Sequence, residues 1–255
     1  MQIIIPMAGR GKRFERAGYP VPKPLIAIDG KPMIAHVLNL FPGEENVLLL
    51  CNAEHLSTST LQTTLSALRP SATILRIPSH DLGPVPTVLE AEKYIKDDEP
   101  VIVSYCDYNT HWNYQTFKRH AAACNNAGII VCYRGFHPHL LGPNLYASVE
   151  TDEHNRALEI REKYSFTKNK MDSWQSCGMY YFQSGSLLKA YFRRYRERGE
   201  PVNGEYYVSM VYDLLIKNGL PVSVYPIDVF AQWGTPEDLA EYQYWSECLR
   251  PVWTS

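Results

Sequence analysis

Short apolar runs alternate with amphipathic stretches along the first half of the chain, and this alternation constrains the fold more than any other feature. The runs are rich in Val, Ile and Leu, as buried parallel strands are, and they cover residues 2–5, 46–51, 73–77, 100–105 and 128–133. The stretches between them have apolar residues at helical spacing and cover 33–41, 57–68, 87–96 and 114–126. The pattern predicts an α/β fold, with a single Rossmann-like, mixed and mostly parallel sheet flanked by helices.

The rhythm changes after residue 134. Segments 146–150 and 157–160 predict a hairpin, and polar residues 163–175 predict a loop. Further strands are expected at 175–182 and 221–227, and helices at 185–197, 205–218 and 236–248. There is no internal repeat, low-complexity tract or linker in the sequence, so residues 1–255 are expected to form one domain with halves 1–134 and 135–255.

Composition narrows the function classes. A formal net charge of −2 over 255 residues gives no general attraction to nucleic acid or to an anionic membrane. No apolar stretch approaches ~20 residues, and no basic-then-apolar leader precedes the first strand. The six cysteines are scattered without a Cys-x-x-Cys pair, which argues against zinc and a disulfide framework. We expect a cytoplasmic protein without nucleic-acid or membrane partners.

The first strand leads into a loop with two glycines and three cations. The loop residues are Ala8, Gly9, Arg10, Gly11, Lys12 and Arg13. Glycines allow positive φ and close approach of the backbone to a ligand, and successive N–H groups then form an anion nest. The loop lacks the Gly-Lys-Ser/Thr ending of the Walker loop and the third glycine of the dinucleotide fingerprint. It predicts a polyphosphate site, although such a pattern alone also occurs in ordinary turns.

A lysine between two prolines follows the loop by about ten residues, in Pro22-Lys23-Pro24. Proline restricts both its own φ and the residue before it, so Lys23 is expected on a stiff, extended segment suited to reaching a fixed phosphate. The alternative is a solvated loop lysine.

The order of these motifs, followed by Gly-Lys-Pro-Met-Ile at 30–34, resembles the sugar-phosphate nucleotidyltransferases. The resemblance implies a nucleotidyltransferase or GT-A-like fold, with residues 1–134 binding the NTP and 135–255 binding the acceptor. It implies that the glycine loop holds the triphosphate. It also assigns catalytic roles to Arg13, Lys23 and Asp107.

Asp107 directly follows the fourth strand, where ligands of open parallel sheets bind. Mg²⁺ in such sites binds one or two carboxylates together with phosphates, and the resemblance places a metal-binding aspartate here. The alternative is an aspartate that caps the following turn. The family's second metal aspartate is replaced by Gln232, so either its amide or Asp228, four residues earlier on the same side of a strand, is expected to complete the site.

The resemblance implies acceptor contacts from residues of the second half, namely Tyr146, Glu162, Lys163, Gly178 and Glu205. Lys163 would bind the acceptor phosphate. A surface Glu-Lys salt bridge and a helix-start glutamate are the structural alternatives.

For the nucleobase, Gly83 would let the backbone approach the base, and Asn52 would form a hydrogen bond with a base edge. Turn chemistry explains both equally well.

None of the eight histidines is paired with Ser or Cys as in a nucleophilic enzyme. This fits a reaction in which an acceptor phosphate, already charged, attacks the α-phosphorus and pyrophosphate leaves. The protein then has to position and neutralise the phosphates, through Arg13, Lys23, Lys163 and Mg²⁺ on Asp107.

Segments 105–108 and 232–238 most resemble bacterial capsule and surface-polysaccharide cytidylyltransferases, including those that activate phosphoglutamine. CTP is therefore the preferred donor and a phosphoglutamine-type compound the preferred acceptor. A sugar phosphate, polyol phosphate or phosphonate stays an alternative, and the oligomeric state, a homo-oligomer included, stays open.

Two rival functions are weaker. A nucleotide-sugar glycosyltransferase would need an Asp-x-Asp motif, which Cys106-Asp107-Tyr108 lacks. A catalytically silent nucleotide-binding regulator is favoured by Gln232 but disfavoured by the presence of Arg13 and Lys23.

Overall fold

The structure, a computed structural model, describes residues 1–253, with side chains described through Leu249. The strands are β1 (Gln2–Met7), β2 (Ala27–Ile28), β3 (Lys31–Pro32), β4 (Val47–Asn52), β5 (Thr73–Ile77), β6 (Val101–Ser104), β7 (Tyr108–His111), β8 (Gly128–Tyr133), β9 (Ser148–Thr151), β10 (Ala157–Arg161), β11 (Trp174–Phe182), β12 (Val222–Pro226) and β13 (Val229–Gln232). The helices are α1 (Lys12–Arg16), α2 (Met33–Asn39), α3 (Ala53–Thr58), α4 (Leu61–Leu68), α5 (Pro84–Glu90), α6 (Tyr114–Ala123), α7 (Gly185–Arg198), α8 (Val208–Lys217) and α9 (Pro236–Trp253).

The central sheet is mixed and mostly parallel, as predicted. Its main path runs β10-β9-β11-β6-β1-β4-β5, and β8 and β12 extend it from β11. Strands β6, β1, β4 and β5 are parallel to one another, and so are β8 and β12. Strand β11 joins the two parallel groups by antiparallel pairing with β6 and β8.

Strand β1 is the middle of the parallel group, and helices cover both of its faces. Ile4 belongs to the hydrophobic cluster that contains buried residues of α5, α7 and α8, whereas Ile3 and Ile5 belong to the cluster that contains those of α2, α4 and α6. All three isoleucines are 0% exposed. Burying a side chain of this size stabilises the fold by about 1.5–3 kcal/mol. Burial on both faces explains why the strand reads as a continuous apolar run.

A short antiparallel pair, β7 with β13, was not predicted. It aligns Gln232 with Tyr108 and Val229 with His111. The next residue, Trp233, donates its backbone N–H to the carbonyl of Asp107 at 2.9 Å. The pairing therefore brings the start of α9 beside the carboxyl end of β6.

Several predicted boundaries differ from the structure. The helix predicted at 57–68 is two helices, α3 and α4, separated at Ser59. The helix predicted at 87–96 begins at Pro84, because proline is accepted in a first helical turn. The helix predicted from 205 begins at Val208, and the residues before it form a loop. Within the described chain, none of the helices has the length and apolarity needed to cross a membrane.

Candidate active site

A cavity of about 680 Å³ opens beside the carboxyl ends of β1 and β6. Its walls come from the loop after β1, the turn before α5, the residues after β6 and β10, the segment before α8 and the start of α9. Ligands of open α/β sheets bind at this edge, where parallel strands end.

Most of the predicted site residues line this cavity. They are Ala8, Gly9, Arg10, Gly11, Lys12, Arg13, Lys23, Gly83, Asp107, Tyr146, Glu162, Lys163, Gly178 and Glu205. The roles assigned to them stay predictions, but their convergence on one cavity comes from segments far apart in sequence. Asn52 and Asp228 do not line it.

The glycine loop turns sharply at Gly11, whose φ of 69° lies in the left-handed region. The Gly11 carbonyl accepts from the N–H groups of Phe14 and Glu15 at 3.0 and 3.1 Å, which starts α1. Beyond the loop's edge, Lys12 Nζ is 2.6 Å from Asp81 Oδ2 in an exposed ion pair. The turn at Gly11 thus allows a ligand to approach the loop backbone. One of the loop's cations, Lys12, is paired with Asp81 on the opposite wall.

Lys23 is the central cation of the site. Its Nζ donates to Asp107 Oδ2 at 2.6 Å and to the carbonyl of Gly234 at 2.9 Å. The same Nζ lies 5.2 Å from the centroid of the Phe14 ring. The segment is a 3-10 turn over Lys23–Leu25, not the extended segment that was predicted. Lys23 therefore links the ends of β6 and β13 to the glycine loop.

The donor atoms around Asp107 suit a cation that arrives with phosphates. Asp107, Gln232 and Asp238 all line the cavity. Among residues whose side chains are described, no group of three or more His, Cys, Asp or Glu could hold a metal by itself. Mg²⁺ is commonly bound through one or two carboxylates plus substrate phosphates, and Asp107 fits that mode.

Asp228 does not have the position predicted for it. It is exposed and immediately precedes β13, whereas Gln232 is the last residue of that strand. Four residues of extended chain span about 13 Å, so sharing one side of a strand does not bring Asp228 to the site. The expectation that Asp228 completes a metal site is therefore wrong on distance. Gln232 is the residue of the two that the structure places in the cavity.

Asp238 is a cavity carboxylate that the sequence reading missed. Its Oδ2 accepts from the backbone N–H and the hydroxyl of Thr235 at 3.0 and 2.9 Å, forming a capping box at the start of α9. Its Oδ1 accepts from the Tyr146 hydroxyl at 3.3 Å. Burial raises the pKa of Asp238, and the charge of Asp107 adds to the effect. The Thr-x-x-Asp spacing was the available signal.

Lys163 and Glu162 line the cavity just after β10, and their role as acceptor contacts stays a prediction. Lys163 has a left-handed φ of 53°, and its N–H donates to the Tyr146 carbonyl at 3.0 Å. Glu162 accepts from the Ser209 hydroxyl. Burial raises the pKa of Glu162 to about 7, with the charge of Glu205 adding and the Ser209 hydrogen bond and Lys163 opposing. A solvated surface salt bridge does not describe this pair.

Gly178 leaves room for the ring of Tyr105 at the cavity wall. Its φ is +87°, and a Cβ there would lie 2.9 Å from Cδ2 of Tyr105. The Tyr105 N–H donates to the Gly178 carbonyl at 3.0 Å. Only glycine allows both this backbone conformation and this close approach.

Gly83 joins the turn before α5 to the segment before α8. Its φ is +90°, and a Cβ would lie 2.9 Å from the backbone nitrogen of Tyr206. Tyr206 donates to the Leu82 carbonyl at 2.8 Å and accepts from the N–H of Val85 at 3.1 Å. Close packing thus accounts for this glycine, and contact with a nucleobase stays a prediction.

The Asn52 side chain forms structural hydrogen bonds, contrary to the prediction that it forms a hydrogen bond with a base edge. Its Oδ1 accepts from the N–H groups of Glu54 and His55 at 2.9 and 3.4 Å, which caps α3. Its Nδ2 donates to the Ala8 carbonyl at 3.2 Å. Asn52 is 1% exposed, so it braces the glycine loop from behind.

His80 and Cys106 also line the cavity without having been predicted to act there. His80 Nε2 is 3.2 Å from the Thr87 hydroxyl, and burial lowers the pKa of His80. Burial raises the pKa of the Cys106 thiol to about 12. A thiol that stays protonated is a poor nucleophile, which agrees with chemistry that needs none.

The family model for a MobA-like NTP transferase domain matches residues 3–169. That range includes the glycine loop, Lys23, Asp107 and Lys163. The chain belongs to this family. It is a nucleotidyltransferase.

Solved structures share the fold of this NTP transferase over nearly its full length. A nucleoside-diphosphate-sugar pyrophosphorylase from Vibrio cholerae RC9 is 20% identical with a TM-score of 0.74, covering 95% of this chain and 100% of its own. A provisionally named glucose-1-phosphate thymidylyltransferase from Bacillus anthracis, solved with sucrose, is 15% identical with a TM-score of 0.75, covering 96% and 95%. No curated protein matches the chain significantly.

Proposed function

We propose that this chain transfers an NMP unit from an NTP to the phosphate of a small acceptor and releases pyrophosphate. The observation that carries the proposal is the hydrogen bond from Lys23 Nζ to Asp107, in the cavity that the glycine loop and Lys163 also line. A nucleotide-binding regulator would not need a lysine and a carboxylate joined where the two substrates meet.

The proposed reaction is a direct displacement. An acceptor phosphate oxygen attacks the α-phosphorus, a new P–O bond forms, and the bond to the bridging oxygen of pyrophosphate breaks. Pyrophosphate takes the electron pair, so no side chain has to gain or lose a proton. The protein contributes by aligning the two phosphates and by offsetting their negative charge.

Three cations are assigned to this work. Lys23 would contact the phosphates at the reacting centre, and Lys163 would hold the acceptor phosphate. Arg13, at the end of the glycine loop, lines the same cavity as Tyr146 and Tyr207 and would add a third positive charge. An oriented cation in a water-poor cavity is worth more than the same charge in water.

Mg²⁺ is the proposed cofactor. Asp107 would hold it, with the Gln232 amide oxygen as the second protein donor in this cavity. When bound with a triphosphate, the ion neutralises charge that develops on the phosphate oxygens.

CTP is the proposed donor, and a phosphoglutamine-type compound in capsule or surface-polysaccharide modification is the proposed acceptor. Both rest on the resemblance of segments 105–108 and 232–238 to cytidylyltransferases. A sugar 1-phosphate is the second candidate acceptor. It is favoured by the names of the two structural neighbours, whose sequence identity of 20% and 15% supports the shared fold only.

Pyrophosphate release tests the proposal. Each of the four NTPs with Mg²⁺ would be incubated with phosphoglutamine or a phosphoramidate surrogate, sugar 1-phosphates, 2-aminoethylphosphonate and glycerol phosphate. We expect acceptor-dependent release with one NTP, CTP, and one acceptor class. Release with a different NTP would overturn the donor assignment alone, whereas no release with any pair would overturn the transferase proposal.

A further inference from the structure

Two side-chain contacts join opposite walls of the cavity. Lys12 Nζ lies 2.6 Å from Asp81 Oδ2, and Arg10 Nε donates to Ser79 Oγ at 3.1 Å. Both contacts connect the glycine loop with the turn before α5, and Arg10, Lys12 and Asp81 line the cavity. The side chains of Lys12 and Asp81 are 44% and 52% exposed, so a ligand can reach both.

Each of the two segments has other contacts that hold its position. The Ala8 carbonyl, at the start of the glycine loop, accepts from Asn52 Nδ2 at 3.2 Å. The turn before α5 is held by the Leu82 carbonyl, which accepts from the Tyr206 N–H at 2.8 Å. An exposed ion pair adds little to stability. Holding the fold together therefore does not account for a carboxylate at Asp81.

Asp81 places a negative charge in a part of the cavity that is otherwise suited to anions. The glycine loop, α1 and the Pro-Lys-Pro segment contribute the lining cations Arg10, Lys12, Arg13, Arg16 and Lys23. A phosphate that approaches Lys12 competes with the Asp81 carboxylate for the same ammonium group. Because the pair is exposed to water, a highly charged phosphate can displace the carboxylate at little cost.

We propose that Asp81 competes with phosphates for Lys12 and thereby promotes the release of pyrophosphate. The proposal rests on the proposed function, because it takes the glycine loop as the site of the triphosphate. In the empty site Asp81 pairs with Lys12, and an entering triphosphate displaces the carboxylate. After the transfer, Asp81 pairs with Lys12 again as pyrophosphate leaves. Asp81 acts through Lys12, so it is a positioning residue.

Competition at Lys12 affects the product more than the substrate. Pyrophosphate is small and highly charged, so cations without competing carboxylates would bind it tightly, and its release would limit turnover. Loss of one phosphate contact weakens the binding of both NTP and pyrophosphate. The NTP keeps the contacts of its nucleoside, whereas pyrophosphate has only its phosphate contacts. The competition therefore favours release of the product over loss of the substrate.

Calorimetry with pyrophosphate and Mg²⁺ tests this inference. Asp81→Asn should bind pyrophosphate about two- to fivefold more tightly than the parent chain, the range that corresponds to the energies of exposed ion pairs. Asp81→Glu keeps the charge and should bind pyrophosphate as the parent chain does. The matched control is Glu99→Gln, because Glu99 also pairs with a lysine at 2.6 Å but does not line the cavity. Equal or weaker binding by Asp81→Asn would overturn the inference.

A double-mutant cycle separates competition for Lys12 from a general effect of charge. Removing a carboxylate near a phosphate site also raises anion affinity through the electrostatic field alone. If Asp81 acts through Lys12, Asp81→Asn should leave the pyrophosphate affinity nearly unchanged in a Lys12→Met background. The full increase in affinity in that background would contradict competition for Lys12.

Carbodiimide cross-linking detects the ion pair without turnover. The reagent joins an amine to a carboxylate in contact with it, with loss of water, so mass spectrometry should find Lys12 linked to Asp81. Pyrophosphate with Mg²⁺ should reduce this product several-fold but leave the product of the Lys96–Glu99 pair unchanged. A Lys12–Asp81 product that pyrophosphate does not reduce would overturn the inference.

The failure of this inference can be distinguished from the failure of the proposed function. If Asp81→Asn binds pyrophosphate more tightly but no combination of NTP and acceptor releases pyrophosphate, the transferase proposal fails and the competition stands. If an acceptor is nucleotidylated but Asp81→Asn binds pyrophosphate as the parent chain does, the competition fails and the transferase stands.

Discussion

Lys23 already has a carboxylate partner in the structure, and this defines what a ligand has to do at the residue scale. Its side chain is 17% exposed and that of Asp107 is 23% exposed, so the pair is accessible only from the cavity. In the proposed reaction, an entering triphosphate would compete with Asp107 for the lysine, and a cation that arrives with the phosphates would bind the carboxylate. The ion pair would then separate, and each of its two charges would act on the ligand.

Removing either member of this pair should abolish most of the activity. We expect Lys23→Ala and Asp107→Ala each to lower kcat/KM for pyrophosphate release by about 10² or more, because each would remove a charge that the proposed mechanism uses at the reacting phosphates. The matched control is Lys31→Ala, at an exposed lysine in the same N-terminal segment. Near-normal turnover with an unchanged circular dichroism spectrum would contradict the role of that residue.

Glu162 gives the molecule a measurable pH dependence. Burial raises its folded-state pKa from an ordinary 4.5 to about 7, so the folded chain binds this proton more tightly than the unfolded chain between those values. The contribution of Glu162 therefore makes the free energy of unfolding fall as pH rises through that window, and it is constant above pH ~7. At higher pH the ionised carboxylate is penalised in the folded state.

Glu162→Gln should remove this fall. Relative to the parent chain, the variant is expected to gain about 2 kcal/mol in unfolding free energy between pH ~5 and pH ~8. Urea unfolding at several pH values measures it, with Glu153→Gln as the exposed control. Parallel stability curves for the parent and the variant would show that Glu162 has an ordinary pKa.

At the scale of elements, two glycines allow the segments that line the cavity to approach one another closely. Gly178 lets β11 approach the ring of Tyr105, and Gly83 lets the turn before α5 approach the backbone of Tyr206. Both have left-handed φ, so their replacement combines backbone strain with a clash.

Gly178→Ala should weaken acceptor binding more than nucleotide binding. The new Cβ would meet Cδ2 of Tyr105 at 2.9 Å and displace the ring from the acceptor wall. We expect a loss of about 1–2 kcal/mol from the backbone alone and a rise in the acceptor KM with little change in the NTP KM. Gly135→Ala is the control, since Gly135 has φ +90° and no atom within 4 Å of a new Cβ. Equal kinetic effects of the two variants would contradict the role of Gly178.

The elements that were predicted correctly are those whose apolar residues form an unbroken run or a clear helical period. Strand β1 has three consecutive isoleucines at 0% exposure, so its apolar run identifies it as a buried strand without information about neighbouring strands. The pairing of β7 with β13 was missed, because four-residue strands more than a hundred residues apart leave no periodic pattern. That pairing fixes Gln232 beside Asp107, and it also removes Asp228 from the site.

The sequence also could not show which hydrogen-bond partners a polar side chain has. Asn52 follows a buried strand, where ligand contacts and helix caps are both common, and only the structure shows its amide bonding Ala8 and the start of α3. Asp238 was predicted only as part of a motif, although its spacing from Thr235 already indicated a capping box. The residues predicted from the glycine loop and the Pro-Lys-Pro segment do line one cavity.

At the scale of the whole molecule, one sheet presents two differently charged walls to one cavity. The fold is retained across neighbours of 20% and 15% identity over at least 95% of this chain, so the fold itself carries little information about the substrates. Selectivity has to come from the side chains on the walls. The glycine loop and Lys23 suit phosphates, and another part of the wall combines Lys163 with Glu162, Glu205 and tyrosine rings.

The central claim is that the acceptor phosphate attacks the α-phosphorus of the NTP, and an oxygen label follows that attack directly. The acceptor would carry ¹⁸O in its phosphate, and the products of a reaction with CTP and Mg²⁺ would be separated and weighed by mass spectrometry. We predict that all of the label stays in a nucleotidylated acceptor, including its new bridging oxygen, and that the pyrophosphate is unlabelled. Label in the pyrophosphate, or CDP in place of pyrophosphate, would contradict nucleotidyl transfer by this site.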